Sequence, residues 1–112
     1  MSSSPDPFVS VVIPAYNAEP YLATTLRSIL DQTFGDFEVI VAENGSTDAT
    51  QDVLLEFAER DERVRPLLLG ANVGRSAARN AGLDVARGTW VCPMDADDLW
   101  FRGRLRELVA AS

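Results

Sequence analysis

The 112-residue sequence contains no histidine, and all ten of its basic residues are arginine, so lysine is absent too. These gaps exclude Ser-His-Asp and Cys-His nucleophilic sites and His-ligated zinc. They also exclude a Schiff-base lysine and a phosphate loop ending in Gly-Lys-Ser/Thr. Cys92 is the single cysteine, which leaves no internal disulfide, iron–sulfur site or Cys-rich zinc site. Long apolar runs are missing, so no segment is expected to span a bilayer. The opening Met1-Ser2-Ser3-Ser4-Pro5-Asp6-Pro7 lacks the basic and apolar regions of a signal peptide. A cytoplasmic, reducing setting is the expectation. What remains is carboxylate, hydroxyl, amide and guanidinium chemistry, with any metal that carboxylates can hold.

Seventeen acids against ten arginines give a net charge of −7, which argues against nucleic acid as a partner. Apolar residues make up 46% of the chain, enough for the core of one domain. Residues 1–7 read as a disordered lead, and 8–112 as one unit without linker or internal repeat.

Four short apolar runs predict strands, at Phe8 to Ile13 closed by Pro14, Phe37 to Ala42, Val64 to Leu69 and Thr89 to Met94. Pro66 marks the third as an edge or irregular strand. Helical spacing lies between them: Leu22, Leu26, Ile29 and Leu30, then Val53, Leu54, Phe57 and Ala58. The third helix, Gly74 to Ala86, is expected to turn Ala77, Ala78, Ala81 and Val85 inward, and a fourth is expected from Leu99. The alternation predicts an α/β fold, a three-layer α/β/α Rossmann-like parallel sheet. Ligands in such sheets bind beyond the carboxyl ends of the strands.

Asp95-Ala96-Asp97-Asp98 follows the fourth strand. In extended backbone Asp95 and Asp97 would share one side while Ala96 points away. Two carboxylates so close favour a bridging hard cation, Mg2+ or Mn2+, able to neutralise a diphosphate leaving group. The plain alternative is a solvated acidic turn before the helix. Past the first strand, Tyr16 offers a face for a nucleobase, or is simply loop packing. Glu43 and Asn44 at the second strand tip suit the reading of a base edge, or make a turn and helix cap. Arg75 and Arg79, four apart at the start of the third helix, could meet a phosphate or pair with surface acids. Trp90, Cys92, Met94, Trp100 and Phe101 are assigned to the core or its rim, Cys92 without a base to activate it.

Five segments together resemble the opening half of a family 2 glycosyltransferase with the GT-A fold. They are Val9 to Asn17, Ser28 to Phe34, Gly45-Ser46-Thr47-Asp48, Asn72-Val73-Gly74 with Ala78 to Gly82, and Asp95 to Asp98. The resemblance implies transfer of a sugar from a nucleotide-diphosphate sugar to a hydroxyl acceptor (saccharide, lipid or other), with a divalent metal and inversion. It places Pro14, Tyr16, Glu43, Asn44, Arg75, Arg79, Asp95 and Ala96 at the nucleotide-sugar and Asp95 and Asp97 at the metal. Glu43-Asn44 stands where the family commonly has Asp-Asp, which puts the usual uridine preference in question. The family's domain runs about twice as long, so the acceptor pocket and the general base are expected beyond Ser112. An incomplete domain would also expose apolar surface such as Trp100 and Phe101 and favour self-association. The rival reading is a non-catalytic nucleotide-binding or assembly fragment. A receiver-like signalling domain lacks its lysine here, and a nucleotidyltransferase lacks its Gly-rich basic opening.

Overall fold

The computed structural model describes residues 6–97 and 103–111. Most of the expected N-terminal lead, together with Asp98, Leu99, Trp100 and Phe101, lies outside the described residues. The elements are β1 (Val9–Ala15), α1 (Glu19–Leu30), β2 (Phe37–Glu43), α2 (Thr50–Arg60), β3 (Val64–Leu68), α3 (Arg75–Val85), β4 (Trp90–Pro93) and α4 (Arg104–Ala111). Every strand pairing is parallel, in the order β3-β2-β1-β4.

That order fixes the layers. Two successive crossovers step from β1 to β2 to β3, and the third returns across the sheet to the far side of β1. With right-handed connections, α1 and α2 must share one face and α3 must cover the other. The side chains agree. Val9, Val11, Ile13 and Ala15 of β1 join Leu22, Leu26 and Ile29 of α1, Leu54 of α2 and Leu105 of α4 in one core. The alternate face of β1 meets α3, where a Cβ added to Gly82 would stand 2.5 Å from Val12 Cγ1. β1 and β2 are buried along their whole length, which is why they read as β-branched runs rather than as alternations.

Two expectations are corrected. β1 does not stop before Pro14 but runs through it. Val12 accepts from the Met94 N–H and Ala15 from the Asn44 N–H. Alternate residues of a parallel strand serve opposite neighbours, so Pro14 faces the β4 side, where pairing ends at Pro93 and no donor is required. The inner face of α3 is Ala78 and Gly82, while Ala77 and Val85 are exposed. Trp90, expected in the core or at its rim, is 47% exposed and lies at the rim, because β4 is an edge strand. Pro66 also lies on an edge strand, β3.

The amino end of the sheet is fastened by a buried carboxylate. Glu38 on β2 accepts from Ser10 Oγ at 2.5 Å, from the Arg87 N–H at 2.8 Å and from Arg65 Nη1 at 2.6 Å. Burial pushes its carboxyl up, but these hydrogen bonds outweigh that and hold it below the usual carboxylate range. The Gly88 N–H in turn donates to Ser10 Oγ, and a Cβ at Gly88 would stand 2.6 Å from the Ser10 nitrogen. The α3–β4 connection is thereby tied to the centre of the sheet.

Candidate functional site

The chain leaves β1 toward one face and enters β4 from the other, so the crevice between their carboxyl ends is the topological switch point of the sheet. An open cavity of about 450 Å³ lies there. Of the residues expected at a site, Pro14, Tyr16, Asn44, Arg75, Ala96 and Asp97 line it. Glu43, Arg79 and Asp95 do not line it. Tyr21 does, and the sequence reading missed it. It sits on the first turn of α1, where an aromatic reads as helix surface. The available signal was a second exposed tyrosine five residues after Tyr16, since that spacing puts both at the mouth of one strand.

The loop after β1 is clasped to the start of α2. Asn17 adopts φ 50°, a left-handed conformation that asparagine tolerates better than most residues. Its N–H donates to Ser46 Oγ, and its side-chain oxygen accepts from the Thr47 N–H at 2.8 Å. The Ala18 and Glu19 N–H groups donate to Thr50 Oγ1 and Asp48, and Glu19 Oε1 accepts from the Ala49 N–H. Burial raises the Asp48 carboxyl, but hydrogen bonds from Thr50 and the Glu19 N–H outweigh it and hold it low. This exchange fixes the backbone that presents Tyr16, whose ring stays 45% exposed.

At the β2 tip the two polar residues face other groups of the protein. Glu43 is buried and accepts from the N–H groups of Gly45 and Ser46 and from Ser46 Oγ. Asn44 Oδ1 accepts from the Val73 N–H at 2.9 Å, and its Nδ2 donates to Asn72 Oδ1 at 3.2 Å. Gly45 permits this approach, since a Cβ there would lie 2.6 Å from the Ala71 carbonyl carbon. Asn44 therefore holds the β3–α3 loop in place while bordering the cavity.

The acidic segment departs from the expected geometry. β4 ends at Pro93, and Ala96 and Asp97 form a turn, so strand alternation does not apply. Ala96 does not point away. It lines the cavity, and its carbonyl accepts from Thr25 Oγ1 at 2.7 Å, which moors the turn to α1. Asp97 is exposed on the cavity wall. Asp95 is turned toward α3, 2.6 Å from Arg75 Nη2 and 3.9 Å from Arg79 Nη2. The Nε of Arg79 is buried without a hydrogen-bond partner.

Among the described residues no group of three or more carboxylate, thiol or imidazole ligands could hold a metal. A magnesium-type ion does not need one, since it is usually held by one or two carboxylates with water and substrate phosphate completing the shell. Asp97, exposed on the cavity wall, meets that demand, whereas Asp95 lies outside the cavity lining, against Arg75. Cys92 is partly buried, and burial raises its thiol pKa against the opposing charge of Arg104, the reverse of what activates a cysteine.

Comparison with known proteins bears on this arrangement. Residues 10–112 match the family described as glycosyl transferase family 2. The UDP-Glc:alpha-D-GlcNAc-diphosphoundecaprenol beta-1,3-glucosyltransferase WfgD of Escherichia coli is 35% identical over 100 residues, 89% of this chain and 39% of that protein. A crystal structure of S. aureus TarS 1-349 in complex with UDP-GlcNAc superposes with a TM-score of 0.84 at 32% identity, covering 91% of this chain and 30% of the other. The mannosyltransferase PcManGT of Pyrobaculum calidifontis, in complex with GDP-Man and Mn2+, gives a TM-score of 0.75 at 32% identity, covering 87% of this chain and 29% of the other. The chain spans less than half the length of the curated relatives it matches, from 13% to 40% among those with at least 40% identity. Among the described residues no helix is long and apolar enough to cross a membrane.

Proposed function

Because the chain belongs to glycosyl transferase family 2, we propose that it is the donor-binding part of a glycosyltransferase that moves a sugar from a nucleotide-diphosphate sugar to a hydroxyl acceptor with inversion. One observation carries the reading: the cavity at the β1/β4 switch point gathers an exposed aromatic ring, an arginine and the acidic turn in one place. Tyr16 is the surface on which the base stacks. Asn44 supports the cavity floor and reaches the base only through the loop it holds. Arg75, with Arg79 behind it, lies on the side of the diphosphate.

Asp95 and Asp97 are the residues that would hold a Mg2+ or Mn2+ ion. Bound there, such an ion supplies charge neutralisation on a diphosphate leaving group. The protein's own work is to hold the base against Tyr16, to place guanidinium charge beside the phosphates and to keep the acidic turn in position through Thr25. Support for a nucleotide-sugar donor comes from the TarS and PcManGT complexes. The proposed setting is the cytoplasm, which the unpaired Cys92 suits.

Titration calorimetry with UDP, GDP and CDP, with and without Mn2+, tests the reading. Metal-dependent binding of at least one supports it. Binding of none, in either condition, would sink it. The second reading, nucleotide binding without catalytic activity, is favoured by Asp95 being paired with Arg75 rather than lining the cavity. It shares this binding result and differs in turnover.

A further inference from the structure

We propose that Asn72 reads the base of the donor and that Asn44 fixes which end of its amide does so. The amide NH2 of Asn72 is the end offered to the cavity. It selects a nucleobase with a carbonyl on the edge it meets (uracil, guanine) over one with an amino group there (cytosine, adenine). The inference rests on the donor-binding reading above and adds base selection to it.

Two backbone N–H groups set the polarity. The Val73 N–H donates to Asn44 Oδ1 at 2.9 Å, so the other end of that amide is a donor and needs an acceptor. It finds Asn72 Oδ1 at 3.2 Å. The Gly74 N–H donates to the same oxygen at 2.9 Å. Turning either amide over would set donor against donor, so both orientations are determined. Asn44, Asn72 and Gly74 all line the cavity. Asn44 is buried with both ends of its amide spent, and cannot read a ligand itself. Asn72 is exposed, its oxygen holds two donors, and its Nδ2 donates to no group among the described residues. An amide NH2 only donates. A ring carbonyl completes its hydrogen bond, whereas an amino group in the same place meets it donor to donor. Stacking on Tyr16 is indifferent to the base, so selection falls to a polar group at the ring edge. Asn44 is in this scheme a positioning residue.

Calorimetric titration of UDP, CDP, GDP and ADP into the 112-residue chain, with Mn2+ throughout, tests it. The readout is the ratio of Kd values within the pyrimidine pair and within the purine pair. The proteins are wild type, Asn72→Ala, Asn44→Ala and Tyr16→Ala, with circular dichroism to confirm folding. Expected in wild type is UDP tighter than CDP and GDP tighter than ADP, by roughly two- to tenfold. Asn72→Ala brings the ratios close to one, and Asn44→Ala lowers them because the Asn72 amide loses a partner that orients it. Tyr16→Ala weakens every nucleotide and leaves the ratios as they were. Equal affinities within each pair in wild type, or ratios that survive Asn72→Ala, overturn base selection and leave the donor reading standing. Unchanged ratios with uniformly weaker binding in Asn44→Ala overturn the positioning role, since support of the loop alone would act on all nucleotides alike. If Asn44→Ala does not fold, wild type and Asn72→Ala decide between them. Binding of no nucleotide removes the donor reading, and base selection with it.

Discussion

Tyr16 and Asn44 both border the cavity, but they are asked to do different things. Tyr16 presents an exposed ring on a clasped backbone, so Tyr16→Ala should weaken UDP, GDP and CDP alike. The expected loss is about 1–3 kcal/mol, or roughly five- to 150-fold in Kd, because every base has a π-face. A loss confined to one nucleotide would show that the ring contacts something other than the base plane. Asn44 spends both ends of its amide on the β3–α3 loop. Asn44→Ala leaves the Val73 N–H without its acceptor, and urea denaturation should report a loss of about 1–3 kcal/mol. The anchoring role of Asn44 was not legible beforehand, because it depends on residues some thirty positions away being brought alongside. The contacts of Glu43 are local, to Gly45 and Ser46, and match the turn that the sequence offered as the alternative there. That an acidic segment follows the fourth strand was legible, but its geometry was not, since the strand rule stops where the strand does, at Pro93.

At the scale of the elements, α3 deserves the closest test because it carries Arg75 and Arg79. Its contact with the sheet depends on Gly82, where a Cβ would overlap Val12 Cγ1 at 2.5 Å. Gly82→Ala improves helix propensity by about 1 kcal/mol, yet overpacking costs about 1–3 kcal/mol. A net loss in urea midpoint is expected, with recovery when Val12→Ala is added. No recovery in the double variant would place the strain elsewhere. The far end of α3 is fastened through Glu38, with Arg65 also donating to the Val85 carbonyl. Glu38 has a carboxyl held low in the folded state, so the unfolded chain binds the proton more readily. Its stabilisation is present in full above the unfolded carboxylate range near 4.5 and is lost as pH falls through the lower folded value. Glu38→Gln should flatten that acid limb of the stability curve, read as urea midpoints between pH 3 and 7. The strands were readable because β1 and β2 are buried on both faces and demand apolar side chains throughout. The inner face of α3 was misread because the sequence does not reveal that a glycine, rather than an alanine, makes the close contact.

The described residues form a four-stranded sheet with its crevice at one end and an edge strand, β4, whose Trp90 and Val91 are left exposed. Its order of elements was legible from alternation alone, whereas the partition of helices between faces required the strand order. Among the described residues lining the crevice, Asp97 is the single carboxylate, and the proposal gives it to the metal rather than to an acceptor hydroxyl. General base catalysis contributes typically 10²–10⁴-fold, and orientation of the acceptor can contribute more. Turnover of nucleotide sugars by the 112-residue chain is therefore expected to be at least about a hundredfold below that of a chimera completed to the length of a relative. Equal turnover would require a base among the acids already present.

The central claim is that the switch-point cavity binds a nucleoside diphosphate together with a divalent ion held by Asp95 and Asp97. Calorimetric titration of UDP and GDP into the wild-type chain and Asp97→Ala, each with and without Mn2+, measures it directly. The account predicts that Mn2+ strengthens binding of at least one nucleotide to the wild type and that Asp97→Ala loses this gain while retaining the weak metal-free binding. Equal affinity with and without Mn2+, or an undiminished metal effect in Asp97→Ala, would contradict it.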